Sequence, residues 1–179
     1  REWSLTPDTL GWLISAGLVG MVAGSLLVAP LADKLGRRLL LVIALSLDTI
    51  GVFASTLSQG AWELAGWRFL TGLGIGAMLA SVASATAEFA NAARRALCVS
   101  IMAIGYPAGA VLGGMVAAAL VASTGDWRQV FYISGYCSLV ALPLVMLVPD
   151  SLEYLLDKRP RDALQRVNRL LPRLGMTPA

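Results

Sequence analysis

The groups able to do chemistry in this chain of 179 residues are few, and they stand in unusual places. Asp48 and Arg68 each lie inside an apolar run. Tyr106 sits beside Pro107 in another, and Asp33, Lys34, Gly36, Arg37 and Arg38 crowd into a turn between two more. The chain has no histidine, so a proton relay would fall to carboxylates or tyrosine. No metal-ligand cluster, nucleophile elbow or phosphate loop is visible. A metal site and a cofactor are therefore not expected, and an enzyme is the least expected class. Charge set in apolar surroundings is costly, and it is kept to hold a partner, to bind an ion or to carry a proton. Cys98 and Cys137 fall in apolar runs and read as small fillers rather than as a disulfide.

The elements that position these groups follow from composition. The chain is 57% hydrophobic and 14% charged, with a mean hydropathy of +0.72. Soluble domains run near 25% charged, so one water-soluble core would not hide this much apolar surface. The pI of about 9.2 does not point to nucleic acid. The basic residues sit in short loops and near the C-terminal end, without interleaved aromatics. Five stretches reach the roughly 20 apolar residues a membrane span needs, at about 10–31, 39–57, 64–87, 96–122 and 130–148. Their Ala, Gly and Leu content and their length indicate helices rather than barrel strands. The expected fold is an all-α membrane protein, with a transmembrane bundle over 1–149.

Lys34, Arg37 and Arg38 follow the first span, Arg94 and Arg95 the third, and six more basic residues lie beyond the fifth. The positive-inside rule puts all three segments in the cytoplasm and the chain's start outside. Beyond Pro149 the character changes. Leu164, Val167, Leu170 and Leu171 repeat at helical spacing among charges, so 150–179 reads as a cytoplasmic linker with an amphipathic helix. A start at Arg1 outside the membrane and an odd number of spans suggest a piece of a larger protein. Transporters are often built from inverted repeats of three helices, and six helices without the first would leave these five.

The turn Ala29-Pro30-Leu31-Ala32-Asp33-Lys34-Leu35-Gly36-Arg37-Arg38 resembles the signature of the major facilitator superfamily, G-x-L-A-D-(R/K)-x-G-R-(R/K), with Ala29 for the leading glycine. Arg68 with Gly72, Gly74 and Gly76 resembles that superfamily's R-x-x-x-G-x-G element. Glu88-Phe89-Ala90-Asn91 through Arg95 is similar to its E-x-A-P-x-x-x-R element, with Asn91 for proline. Helix four carries Gly105, Gly109 and Gly113 at every fourth place. Ala110 and Val111 fill the two glycine places of the antiporter pattern G-P-x-x-G-G, which favours a symporter or uniporter. Asp126-Trp127-Arg128-Gln129-Val130-Phe131 and Pro149-Asp150-Ser151 through Leu155 resemble elements of sugar porters and of aromatic acid/proton symporters. The opening Leu5-Thr6-Pro7 with Gly11-Trp12 is closer to the latter family.

The resemblance implies secondary active transport by alternating access in the inner membrane: proton-coupled uptake of an aromatic carboxylate, with the bilayer and the missing helices as partners. Asp33, Gly36, Arg37, Arg38, Glu88 and Arg95 would form a cytoplasmic gate. Arg68, Tyr106 and Asp48 would serve the substrate and proton pathway. Gly72, Gly76, Gly105, Gly109 and Gly113 would let helices pack closely. Each of the pathway residues has a plainer reading too. Arg68 can snorkel to the outer surface, Tyr106 can pack on a neighbouring helix, and Asp48 can clasp one through a hydrogen bond. For Asp48 the clasp leads, because that helix is usually peripheral in the superfamily. A sugar or other organic-solute porter, or a non-transporting five-span module, are the alternatives.

Overall fold

The computed structural model describes residues 6–91 and 93–146, apart from the side chains of Asp33, Lys34, Glu88 and Phe89. Every regular element among them is helical. Helix α1 (Pro7–Ala23) opens on Thr6, whose side-chain oxygen accepts from the Thr9 amide at 3.3 Å, and on Pro7, whose missing N–H is not needed there. It runs on through a π turn (Gly24–Val28) and a 3-10 turn (Ala29–Leu31) into the short α2 (Ala32–Leu35). Gly36 then takes φ 90° and ψ 145°, a conformation that a side chain would strain. It starts α3 (Arg37–Leu57) directly behind α2. Helices α4 (Ala61–Phe89), α5 (Arg95–Thr124) and α6 (Arg128–Met146) follow, with Gly125 at φ 70° stopping α5.

Five stretches are long and apolar enough to cross a membrane, the first being Pro7–Leu31. They begin one to three residues ahead of the apolar runs, with Arg37, Arg95 and Arg128 taking the first helical position in three of them. Residues 150–179, and with them the expected linker and amphipathic helix, lie outside the described residues, as do the last two of the fifth span.

Packing is uneven. Helix α4 touches α1 along one side and α3 along the other, and α3 reaches on to α6. The buried apolar core is Leu40, Leu41, Ala44, Leu45 and Val52 of α3 against Leu64 and Ala77 of α4, with Ala32 of α2. More than half of the most apolar stretch of α3 is buried, and none of that of α5. Leu26, Leu27, Ile14, Val111, Met115 and Val140 stand exposed. An apolar outer surface of this kind suits lipid or further helices, not water. Buried hydroxyls in α3 satisfy themselves: Thr49 donates to the Leu45 carbonyl and Ser55 to that of Gly51, both at 2.7 Å.

The α1–α4 contact depends on absent side chains. A Cβ on Gly72 would lie 3.1 Å from the Met21 amide nitrogen and press on the Gly17 carbonyl oxygen. One on Gly76 would lie 2.7 Å from the Met21 carbonyl carbon. Gly20 and Gly24 meet Phe69 and Leu73 with the same closeness from the other side. Backbones approach this nearly only where glycines face each other. Gly105, Gly109 and Gly113 differ: a Cβ on any of them meets nothing within 4 Å. The expectation that this stripe packs a neighbouring helix finds no partner among the described residues. The physical reason is that α5 contacts α4 and α6 only sparingly.

Candidate functional site

Antiparallel threading brings the start of α1, the end of α3, the start of α4 and the start of α6 to one end of the bundle, called here the Gly125 end. The opposite ends meet at the Gly36 end. The polar groups divide between the two.

Arg68 lies in the second turn of α4, near the Gly125 end. It lines a cleft of about 340 Å³ whose other walls are Leu13, Ile14 and Gly17 of α1 and Leu64 of α4. Its guanidinium carbon sits 4.7 Å from the centre of the Phe131 ring of α6, within the range of a cation–π contact. Phe131 meets Trp127 edge to face, with ring centres 5.6 Å apart. Arg128 lies over the Trp127 ring at 4.5 Å. From there its Nε donates to the Thr56 carbonyl at 3.2 Å and one terminal nitrogen to the Ser58 carbonyl at 3.4 Å. These carbonyls end α3 and have no helical donor, so a cation suits them. Asp126 completes the corner, its Oδ1 accepting from the Arg128 amide at 2.9 Å.

Asp48 is 8% exposed at the middle of α3. Its Oδ2 accepts a hydrogen bond from Ser138 Oγ of α6 at 2.9 Å. Gly74 of α4 comes so near that a Cβ there would lie 3.0 Å from the Asp48 amide nitrogen and 3.3 Å from its Cβ. Asp48 thus clasps α6 to α3, beside the α3–α4 contact. Tyr106 belongs to neither group. It is exposed on α5, and α5 runs unbroken through Pro107.

At the Gly36 end, Gly36 is buried between α2 and α3, Arg37 and Arg38 open α3, and Arg95 opens α5 and is exposed. Asp33 belongs to α2 and Glu88 to the last turn of α4, so the topology carries both to this end. Their side chains lie outside the described residues. A second cavity, of about 370 Å³, opens here between Ser25 and Pro30 on one side and Arg37, Ser81 and Ser84 on the other.

Sequence reasoning quoted Phe131 and Arg128 only as parts of a motif, and it passed over Ser138 and the clamp of Arg128 on α3. Phe131 and Ser138 are seven residues apart on α6, a spacing that puts both on one face, which was the available signal. No spacing pointed to Thr56 and Ser58, because they take part through backbone carbonyls. No group of three or more metal-binding side chains occurs among the described residues.

A bundle of five apolar helices long enough to cross a bilayer is the architecture of a polytopic membrane protein. The chain belongs to the Major Facilitator Superfamily, whose sequence model matches residues 1–174. It is 35% identical over 156 residues to a gallate transporter of Pseudomonas putida, covering 87% of this chain and 34% of that protein. It is 36% identical over 156 residues to the 4-hydroxybenzoate transporter PcaK of Pseudomonas aeruginosa, covering 87% and 35%. To the 3-(3-hydroxy-phenyl)propionate transporter of Escherichia coli it is 31% identical, covering 89% and 39%. The chain therefore spans little more than a third of the length of these curated relatives. Among solved structures, the proton:xylose symporter XylE matches with a TM-score of 0.81 at 23% identity, over 96% of this chain and 42% of that one. That likeness is one of fold.

Proposed function

We propose that this chain is part of a transporter that takes up an aromatic carboxylate together with protons by alternating access, in the inner membrane with the Gly36 end toward the cytoplasm. The observation that carries the reading is Arg68. It offers a positive charge in a cleft walled by Leu13, Ile14 and Leu64, with an aromatic ring behind it. A carboxylate pairs with a guanidinium through two parallel hydrogen bonds, and an apolar wall accepts the ring that bears it. A sugar would leave the charge unanswered and its own hydroxyls facing leucine and isoleucine. The names of the relatives, transporters of gallate, 4-hydroxybenzoate and 3-(3-hydroxy-phenyl)propionate, support the same substrate class.

In this reading Arg68 binds the substrate anion or tunes a proton-carrying carboxylate in a helix beyond this chain, and Tyr106 faces that helix from α5. Asp33, Gly36, Arg37, Arg38, Glu88 and Arg95 hold the cytoplasmic end closed in one state and release it in the other. The glycine stripe of α5 packs against further helices of the whole protein.

The test is uptake of labelled benzoates and labelled hexoses by cells expressing the full-length protein, with and without a protonophore. Accumulation of a benzoate that collapses with the protonophore, and no hexose uptake, is expected. Hexose uptake, or benzoate uptake indifferent to the protonophore, would overturn the substrate or the coupling respectively. An Asp33→Asn variant should insert normally and fail to accumulate substrate; full uptake by it would remove the gate from this account.

A further inference from the structure

The clasp between Asp48 and Ser138 lies about two helical turns from Arg68, and two helices give the same offset independently. On α4, Asp48 abuts Gly74, six residues beyond Arg68, or roughly 9 Å along the axis. On α6, Asp48 is bonded to Ser138 while Arg68 lies over Phe131, seven residues away, or roughly 10 Å. The side chain of an arginine covers much of such a distance. The carboxylate is held by the Ser138 hydroxyl, and bare Gly74 packs on the Asp48 backbone and Cβ. It is almost wholly buried, whereas Arg68 faces the open cleft.

We propose that Asp48 is a positioning residue for the anion site: a buried, anchored negative charge that draws the Arg68 guanidinium back against Phe131 and weakens its grip on an arriving carboxylate. The identity of that carboxylate rests on the function proposed above. The physics is a competition. An anion in the cleft and Asp48 attract the same guanidinium, and each lowers the gain from the other. Two unit charges about 9–10 Å apart at an effective dielectric of about 20 change an equilibrium by roughly twentyfold. The open side of the cleft admits screening, which leaves an effect of roughly three- to tenfold. A weakened grip is useful to a carrier, since substrate bound too tightly on one side is released slowly on the other.

The experiment uses the full-length transporter in proteoliposomes, as wild type, Asp48→Asn, Ser138→Ala, Arg68→Lys and the double variant Asp48→Asn with Arg68→Lys. Initial rates of labelled benzoate uptake are measured across substrate concentration. Asp48→Asn should lower the half-saturating concentration three- to tenfold, because the competing charge is gone and an amide still fills the space. Ser138→Ala, which leaves the carboxylate less firmly held, should shift it the same way by a smaller factor. Lysine keeps a charge at position 68 but cannot make the same planar contact, so the shift should shrink in the double variant. A purely structural Asp48 would lower the melting temperature and the maximal rate and leave half-saturation unchanged. That result, or a rise in half-saturation, overturns the proposal.

A second measurement needs no substrate. The purified protein is treated with phenylglyoxal, an arginine-selective reagent, and modification at Arg68 is followed by mass spectrometry. Asp48→Asn should speed modification several-fold, and an unchanged rate counts against the proposal. Failure of wild-type benzoate uptake with the reagent result intact would sink the substrate reading and leave the pairing of Asp48 with Arg68 standing.

Discussion

Replacing Gly76 by alanine adds one methyl group where α4 meets α1, and the structure sets the cost. The new Cβ would lie 2.7 Å from the Met21 carbonyl carbon and 2.8 Å from its Cα. Carbon atoms rest at about 3.5–4.0 Å, so α1 must withdraw by about 1 Å along a contact that is backbone on both sides. Overpacking of this kind costs about 1–3 kcal/mol. The same substitution at Gly105 meets nothing within 4 Å, so only the helix preference of alanine over glycine acts, a gain of about 0.5–1 kcal/mol. The preference acts at both positions and cancels, so the two substitutions differ by roughly 1–3 kcal/mol, or on the order of 2–12 °C in melting temperature for a chain of this size. Thermal unfolding of the 179-residue chain in detergent, followed by circular dichroism, measures both. Gly76→Ala and Gly105→Ala melting within about a degree of each other would refute the tight α1–α4 crossing. The same pair in the full-length protein asks a further question. If Gly105→Ala becomes destabilising there, helices beyond this chain cover the stripe on α5.

Three shorter predictions share the same melting assay. Ser138→Ala removes the donor to a buried carboxylate oxygen and should cost about 1–3 kcal/mol; Ser123→Ala, on the exposed end of α5, should cost nothing measurable. Arg128→Gln withdraws the cation from the Thr56 and Ser58 carbonyls and from the Trp127 ring. It should lower stability by about 1–3 kcal/mol, and Arg128→Lys by a similar amount, because a point charge cannot reproduce the fork. Gly36→Ala forces a side chain into φ 90° and should cost about 1–2 kcal/mol without altering helix content.

What the sequence disclosed followed from period, length and sign of charge. Apolar runs of span length marked the five helices, and the clustering of Lys34, Arg37 and Arg38 marked the turn that Gly36 makes. The placement of Arg68 in the second turn of α4 was also readable, since 3.6 residues per turn fixes depth once a helix start is known. What stayed hidden depends on which helix faces which. Asp48 could be seen as isolated, but its partner Ser138 lies ninety residues on, among several serines that no local rule separates. Phe131 was one aromatic of a motif until the crossing of α4 and α6 set it beneath Arg68. The glycines of α4 and α5 look alike in sequence. Only assembly shows that Gly72 and Gly76 press on another backbone while Gly105, Gly109 and Gly113 face open space.

The clamp of Arg128 on the end of α3 has a consequence for how the protein is made. Arg128 reaches back across 72 residues to Thr56. A ribosome adding about 5–20 residues per second needs on the order of 4–14 s to supply them. For that interval α3 and α4 are already synthesised, while the carbonyls of Thr56 and Ser58 await their cation. The carbonyls that end α3 are therefore capped only once α6 has begun. Slowing translation between α4 and α6 would lengthen the life of that half-built end, and with it the time during which membrane quality control can reach it.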